Sequence, residues 1–188
     1  MKSVTTRFAT TTMTGLTILS ISLALHGTLG AAAPRTLVLN ANGLSAVHLG
    51  VSESAAYKDL SRLLGRPTVP TTQTPALELC GVSAMTSWHS FSAYFNHQRL
   101  VGLSLGPGKQ PNGMTSRGLH LGDTLARARL LYGTALRTSG NNGGAWFATS
   151  RTGRLDGFLS PSGARGQGSH SRILTIDVGV VGCPAMSP

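Results

Sequence analysis

The chain has 188 residues, a formal net charge of +10 and only 5% aromatic residues. The basic residues are scattered, with no run of five or more, and so few aromatic side chains offer little surface for base stacking. These features argue against a nucleic-acid-binding protein. The length suits one domain, or two small units that share one core.

The start of the chain has the pattern of an export signal. Lys2 and Arg7 precede an uncharged apolar run over residues 15–25, and residues 28–33 are small enough for a signal peptidase site. The run has about 11 residues and a transmembrane helix needs about 20, which favours cleavage over a membrane anchor. We therefore assign residues 1–32 to a signal peptide. We expect a secreted or cell-envelope protein whose mature chain has no transmembrane span.

The mature chain is strongly basic and carries both cysteines. Removal of Lys2 and Arg7 leaves 14 basic and six acidic residues, a net charge of +8 that favours an acidic or anionic partner. Outside the cytoplasm a lone pair of cysteines predicts a disulfide, here between Cys80 and Cys183. It would close a loop of about 100 residues and stabilise the fold by up to about 4–5 kcal/mol. Two buried free thiols are the alternative.

The first half of the mature chain predicts an arm, a helix and a hairpin. Residues 33–48 form the arm, with a short strand at 37–39. Ser52 can cap a helix over residues 52–64, which Gly65 ends. Beyond it we expect a loop over residues 66–76. Three strands then follow, over residues 76–81, 88–95 and 99–105.

The second half predicts a helix followed by three strands. Residues 106–117 contain Gly-Pro and Asn-Gly turn signals and predict a linker without regular structure. A helix begins after Asp123 or Thr124, runs to Tyr132 and stops at Gly133. The strands that follow lie over residues 145–150, 154–159 and 172–181. In the last strand, alternation predicts a buried face made of Leu174, Ile176, Val178 and Val180.

The two halves show the same order of elements. A Leu-Gly pair at residues 49–50, and again at 121–122, precedes a polar helix cap, and each time a short helix and an antiparallel meander follow. We therefore predict an α+β fold of two tandem repeats, 49–105 and 118–188. Each repeat is a short helix packed on an antiparallel meander, and the 106–117 linker joins them.

The motifs around the helices resemble those of the β-lactamase-inhibitor-protein-like fold. They are Gly-Val-Ser at 50–52 with Leu-Gly-Arg-Pro at 64–67, and Gly-Asp-Thr at 122–124 with Tyr-Gly-Thr-Ala at 132–135. The resemblance covers about residues 43–183. It implies helices on one face of each sheet and an opposite, concave face that grips a protein partner.

The chain departs from that family in three respects. Its single cysteine pair spans the repeats instead of lying within each one. It has ten aromatic residues in total, whereas the inhibitor's face is rich in them. Its turns at 96–98 and 151–153 carry no acidic side chain that could enter a β-lactamase pocket. We expect the fold to carry over, but not inhibition of β-lactamase.

One serine motif suggests an alternative, enzymatic function. Residues 102–106 match Gly-x-Ser-x-Gly with Ser104 as the nucleophile, and Asp123 or Asp156 and then His170 follow in the order found in hydrolases. A nucleophile elbow needs a helix directly after the serine, and the prolines that follow here prevent one. In the other interpretation Ser104 is an ordinary strand residue.

The remaining reactive side chains predict no catalytic set, no metal and no cofactor. The histidines of the mature chain lack zinc-site spacing, and the two cysteines are far apart in sequence. The six acidic residues are too dispersed to predict an acid–base pair.

Aromatic and arginine side chains near the two hairpins are the candidate binding residues. Alternation within 88–95 places Trp88 and Tyr94 on one strand face, and Trp146 begins the second hairpin. On an open face they would anchor a partner, and on a covered face they would be core residues. Three arginines flank the turns and would form a basic rim, or else lie as solvated charges: Arg99, Arg151 and Arg154.

We therefore predict a secreted, non-enzymatic binding protein that holds a protein or an anionic envelope ligand through one sheet face. A small exported serine hydrolase that uses Ser104 is the second hypothesis. A purely structural envelope protein is the third. The oligomeric state stays open.

Overall fold

The computed structural model describes residues 36–108, 113–139, 144–150, 153–160 and 168–181. The predicted signal peptide, Arg151 and Cys183 lie outside these ranges. Within them the fold is α+β, as predicted, and its strand pairs are antiparallel with one exception.

Helix α1 (Glu53–Leu64) forms where the sequence predicts it. Ser52 lies just before it in an extended conformation, and its Oγ accepts a hydrogen bond from a first-turn backbone N–H at 3.4 Å. This cap pairs one of the amide groups that the start of a helix leaves without a partner. Ala56 and Leu60, four residues apart on one side, are buried. Gly65 ends the helix at a φ of 84°, which residues with a side chain rarely adopt.

Helix α2 (Leu125–Tyr132) has the same construction but is one turn shorter. Thr124 is its N-cap, and the Oγ1 accepts a hydrogen bond from the Arg127 N–H at 3.2 Å. The buried side chains again lie on one side of the helix: Leu125, Ala128 and Tyr132.

Twelve β-strands lie in the described ranges, here in chain order: β1 (Leu37–Asn40), β2 (Gly43–Leu44), β3 (Val47–His48), β4 (Val69–Gln73), β5 (Ala84–Trp88), β6 (Phe91–Asn96), β7 (Arg99–Leu105), β8 (Gly113–Thr115), β9 (Leu136–Ser139), β10 (Ala145–Ser150), β11 (Gly153–Phe158) and β12 (Ile176–Gly179). The bounds of β7 and β10 match the predicted strands, and β1 is the short strand predicted in the arm.

The strands form a small sheet and a large one. The small sheet has the order β3-β2-β1-β8, in which β1 and β8 are parallel. The large sheet has the order β4-β5-β6-β7-β12-β11-β10-β9 and is antiparallel throughout. It therefore consists of two four-stranded meanders, each preceded by an α-helix, which meet edge to edge at β7 and β12.

Both helices pack on one face of the large sheet, which we call the inner face. Residues that pair across neighbouring strands lie on the same face. Trp88, Phe91, Leu105 and Ile176 are linked in this way from β5 to β12, and each is at most 1% exposed. They belong to the same buried cluster as the helix residues Ala56, Leu60, Leu125 and Ala128. The opposite side of the sheet is the outer face.

At a glycine of β7, the first meander closely approaches the residue that follows β12. A Cβ atom built on Gly102 would overlap the backbone carbonyl oxygen of Val180, so any other residue would push the strands apart. A glycine is therefore required there for packing between the halves.

The predicted strand over 88–95 is wrong, because the chain turns inside it. Trp88 ends β5 and pairs with Phe91, which begins β6, so His89 and Ser90 form a two-residue loop. His89 adopts a φ of 54°, the left-handed conformation that such tight hairpin turns need. Consequently Trp88 points to the inner face, whereas Tyr94 lies on the outer face.

The region before that hairpin also differs from the prediction. Residues 66–76, predicted as a loop, contain the edge strand β4, which pairs with β5. The predicted strand over 76–81 is a 3-10 helix, Pro75–Cys80. A proline at its first turn lacks the N–H that a ladder needs but has the φ of a helix start.

The arm and the linker are joined by hydrogen bonds. Within 106–117, predicted to lack regular structure, Gly113–Thr115 forms β8 beside β1 of the arm. Leu37, Leu39 and Leu44 of the arm are buried in the main core. Neither segment is therefore a detached connection.

The predicted strand over 172–181 is shorter, because a bulge interrupts it. The N–H groups of Leu174 and Thr175 both donate to the carbonyl of Phe158, and regular pairing resumes only at Ile176. The extra residue reverses the alternation upstream, so Ile173 is buried and Leu174 is 37% exposed. Ile176 and Val178 are buried as predicted, but Val180, beyond the strand, is 40% exposed.

Candidate functional site

The outer face carries a line of polar residues across five strands. Strand register pairs Ser87 with Ser92, Ser92 with Ser104, Ser104 with Asp177, and Asp177 with Asp156. We call these five residues the polar row. The Ser87 and Ser92 hydroxyls lie 2.9 Å apart and are hydrogen-bonded. The row crosses the junction of the two meanders, so it belongs to both halves of the sheet.

Asp177 is the centre of the row and is only 3% exposed. The Ser104 hydroxyl donates to its Oδ1 at 2.5 Å, and the Thr175 hydroxyl donates to its Oδ2 at 3.0 Å. Burial raises the pKa of Asp177 to about 6, because a charged carboxylate loses its hydration there; the two hydrogen bonds oppose this and the charge of Asp156 adds to it. The side chain therefore holds a proton at mildly acidic pH.

Tyr94 lies beside the row and is half-buried. Burial raises its pKa, the charge of Asp177 raises it further, and a hydrogen bond with Ser92 lowers it. At neutral pH the hydroxyl is therefore protonated and can donate a hydrogen bond. Tyr94 is the first of the predicted binding residues that the structure places on the outer face.

Arg154 is the second predicted binding residue on this face. Its Nε contacts the Asp156 Oδ2 at 3.0 Å, and its guanidinium lies 4.3 Å from the centre of the Phe147 ring. Burial raises the pKa of Asp156, and the neighbouring Arg154 opposes that rise. Two partners thus hold the arginine side chain in place while it stays exposed.

The two predicted tryptophans are core residues, which is the alternative that the sequence left open. Trp88 is 1% and Trp146 is 0% exposed. The Trp88 Nε1 donates to the Gly65 carbonyl at 3.0 Å, and the Trp146 Nε1 donates to the Thr175 carbonyl at 3.1 Å. Neither ring is available to a partner.

Arg99 is exposed but is held by the loop before α1. Its Nη1 donates to the Gly50 carbonyl at 2.8 Å. Arg172 makes the equivalent contact before α2, with its Nη1 donating to the Gly122 carbonyl at 2.7 Å. Of the predicted rim, Arg151 lies outside the described residues, so the structure places Arg99 and Arg154 only.

Ser104 does not lie on a nucleophile elbow. It is in the middle of β7, paired on one side with Ser92 and on the other with Asp177, and a glycine and not a helix follows the strand. Its hydroxyl donates to a carboxylate, whereas a serine nucleophile is activated by donating to a base such as histidine. The geometry of Ser104 therefore does not match the alternative hypothesis of a serine hydrolase.

A shallow cleft of about 480 Å³ lies elsewhere, at the end of β4 to β6. It is lined mostly by polar side chains, including Glu53, Glu78 and His97. Within the described ranges, no group of three or more histidine, cysteine or acidic residues is placed to hold a metal ion. The cleft therefore offers neither the apolar lining nor the converging ligands of a small-molecule site.

Comparison with protein-family models, curated proteins and solved structures finds no match to this chain. In the parts of the chain that the structure describes, no helix has the length and apolar character needed to cross a bilayer.

Sequence reasoning missed Asp177 as the centre of the candidate site. Alternation assigned it correctly to the face opposite Ile176 and Val178, but not to a buried position. A polar residue in the middle of the most apolar strand was the available signal, because such a side chain needs a partner from the neighbouring strand.

Proposed function

We propose that the chain is an exported, non-enzymatic binding protein that holds a protein or an anionic envelope component on the outer face of its large sheet. The observation that carries this proposal is the packing of both α-helices on the inner face. In the described ranges, the buried side chains of both helices belong to the core on that side, so the outer face of eight strands is not covered by a helix.

The side chains of the outer face suit recognition of a partner. Arg154 is preorganised by Asp156 and by the Phe147 ring, so little side-chain freedom is lost when it binds. Phe158, on the same strand and face, is 49% exposed, and Leu174 beside it is 37% exposed. Arginine and aromatic side chains next to apolar surface are the residues that contribute most at protein interfaces.

A pull-down from envelope extract tests the proposal with a matched pair of variants. The outer-face variant is Arg154→Gln with Phe158→Ser. The control is Lys58→Gln with Leu79→Ser, which also removes one charge and one exposed apolar side chain but lies on the two helical segments of the first half. We expect recovery of a specific partner to fall at least tenfold for the first variant and less than twofold for the second. Equal recovery by both would exclude the outer face.

The proposal includes a duplicated scaffold of the β-lactamase-inhibitor-protein-like kind. Matched backbone hydrogen bonds support it: Gly50 N–H to Leu100 O corresponds to Gly122 N–H to Ile173 O, Leu100 N–H to Val51 O corresponds to Ile173 N–H to Asp123 O, and Glu53 N–H to Gln98 O corresponds to Leu125 N–H to Ser171 O. Near the helix caps, the matched residues are all separated by the same number of positions in the sequence. On the strands, the separation is also constant and is one position longer. Two copies of one unit would produce such a regular offset.

The proposal also includes the disulfide between Cys80 and Cys183. Cys183 lies outside the described residues, but the chain just before it passes close to Cys80. A Cβ built on Gly81 would lie 3.9 Å from the Val180 Cγ1, three residues before Cys183. This proximity supports a bond that ties the end of the second half to the first.

A further inference from the structure

The exposed side of α2 combines an apolar side chain with exposed arginines. Leu125, Ala128 and Tyr132 face the core, and at 100° per residue this places Leu130 on the side that faces solvent, with Arg127 and Arg129 on its two flanks. Leu130 is 75% exposed. The exposed side of α2 therefore presents positive charge around one long apolar side chain.

The charged side chains of α2 itself are all basic. Helix α2 contains no acidic residue, and the ion pairs of the described ranges are Arg62–Asp59 and Arg154–Asp156, so neither Arg127 nor Arg129 has an acidic partner there.

Arg117 adds a third cation near the end of the helix. Its Nη1 donates to the Leu131 carbonyl at 3.1 Å, and its guanidinium lies 5.2 Å from the centre of the Tyr132 ring. These contacts hold the side chain beside the last turn of α2. We call the side chains of Arg117, Arg127, Arg129 and Leu130 the basic patch.

Helix α1 provides an internal comparison. Counted from the N-caps, the position of Leu130 in α2 is that of Lys58 in α1, since each lies six residues after its cap. The exposed side of α1 carries charges of both signs, and Arg62 and Asp59 neutralise each other at 2.9 Å. The apolar centre and the uniform positive charge are therefore properties of α2 alone among the two helices.

We propose that the basic patch docks the mature protein on an anionic phospholipid bilayer, with Leu130 entering the headgroup region and the three arginines contacting lipid phosphates. Charge complementarity selects an anionic surface. The exposed leucine selects a bilayer over a soluble polyanion, because only a bilayer offers an apolar layer next to the phosphates. Since α2 packs on the inner face, docking leaves the outer face free to hold a partner.

Sedimentation with vesicles tests this on the secreted, full mature chain. Neutral phosphatidylcholine vesicles are compared with vesicles in which one-third of the lipid is phosphatidylglycerol. We expect binding to the anionic vesicles only. At about fivefold in affinity per basic residue near an anionic surface, Arg127→Gln with Arg129→Gln weakens binding about 25-fold. The matched control, Lys58→Gln with Arg66→Gln, removes the same net charge from exposed sites of the first half and weakens it less than threefold.

A third variant separates a bilayer from a soluble polyanion. Leu130→Ser keeps every charge, and we expect it to reduce vesicle binding several-fold while leaving the weak binding of polyphosphate unchanged. Thermal unfolding of each variant, within a few degrees of the unaltered protein, shows that the fold is kept. The proposal is overturned if the unaltered chain does not sediment with anionic vesicles, if the control loses as much binding as the α2 variant, or if Leu130→Ser binds vesicles as well as the unaltered chain does. None of these outcomes depends on the outer face.

Discussion

Replacement of Asp177 by asparagine should stabilise the protein at neutral pH. The carboxyl group is 3% exposed and its pKa is about 6, compared with the ordinary value of 3.8. At 1.36 kcal/mol for each tenfold change in acidity, this difference means that the ionised form costs about 3 kcal/mol in the folded chain above pH 6. Asparagine has nearly the same shape and no charge. Its amide can accept from Ser104 or Thr175, and either hydroxyl can accept from its NH2 group.

The pH dependence of the effect follows from the direction of the pKa change. Because the folded chain binds this proton more tightly than the unfolded chain does, Asp177 contributes full stability below about pH 4. This contribution is lost as the pH rises through about 6. The asparagine variant lacks this loss. The advantage of the variant should therefore grow from near zero at pH 4 to its maximum above pH 7, at about 1–3 kcal/mol once imperfect hydrogen bonds of the amide are allowed for.

Urea unfolding at pH 4, 5.5 and 7.5 measures the difference between variant and unaltered protein at each pH. Both proteins carry Asp156, whose pKa burial also raises, so the difference between them reports chiefly on residue 177. Asp59→Asn, which removes an exposed ion pair, is the control and should change stability by less than about 1 kcal/mol at every pH. If the Asp177 variant is less stable than the unaltered protein at pH 7.5, with no trend towards acid, the carboxylate is a net stabilising group and the reasoning is wrong.

Three further predictions concern packing, the cysteines and the serine. Gly102→Ala should lower the free energy of unfolding in urea by more than about 2 kcal/mol, because its methyl group would overlap a backbone oxygen. Gly106→Ala is the control and should change it by less than about 1 kcal/mol, because the nearest atom outside its chain neighbours is 3.7 Å from the new methyl group. Intact mass after alkylation of the denatured, unreduced protein should show no labelled thiol, and two modified groups would exclude a Cys80–Cys183 bond. A fluorophosphonate probe should leave the folded protein unlabelled, and specific labelling of Ser104 would restore the hydrolase hypothesis.

Local hydrogen bonding made the helices predictable from sequence. Ser52 and Thr124 cap their helices through their own first turns, and Gly65 and Gly133 end them, so each signal acts within a few residues. The strands β7 and β10 were equally local, since each is a run of alternating or apolar residues bounded by turns. The local sequence of each of these segments is therefore enough to predict its strand.

The errors arose where distant pairing decided the structure. Strand β8 has three residues and exists only because β1 lies beside it, and β4 contains a proline that sequence reasoning takes for a loop signal. In the 172–181 segment one extra residue at the bulge inverted the face of Ile173. The two-residue hairpin after Trp88 carried no glycine or asparagine to mark it, and so the aromatic face was misassigned.

A tripeptide shared by the two halves is a further sequence signal for the proposed repeat. The tripeptide His48-Leu49-Gly50 is identical to His120-Leu121-Gly122, and each copy lies shortly before a helix cap. The glycine carbonyls of both copies accept a hydrogen bond from an arginine side chain. Identity at a loop that both halves build in the same way is stronger evidence for the proposed repeat than shared element order.

The candidate site follows from the position of the proposed symmetry axis. The strand offset that relates Leu100 to Ile173 also relates Ser104 to Asp177, and these last two residues are direct partners in the pairing of β7 with β12. A position on a two-fold axis pairs with its own copy, so an unchanged duplication would place two aspartates or two serines in contact. Two buried carboxylates there would repel each other, whereas a serine opposite an aspartate donates the hydrogen bond that the buried carboxylate needs. The proposed duplication would thus bring one pair of matched residues into contact at the centre of the sheet, and divergence of the two copies would account for their being a serine and an aspartate.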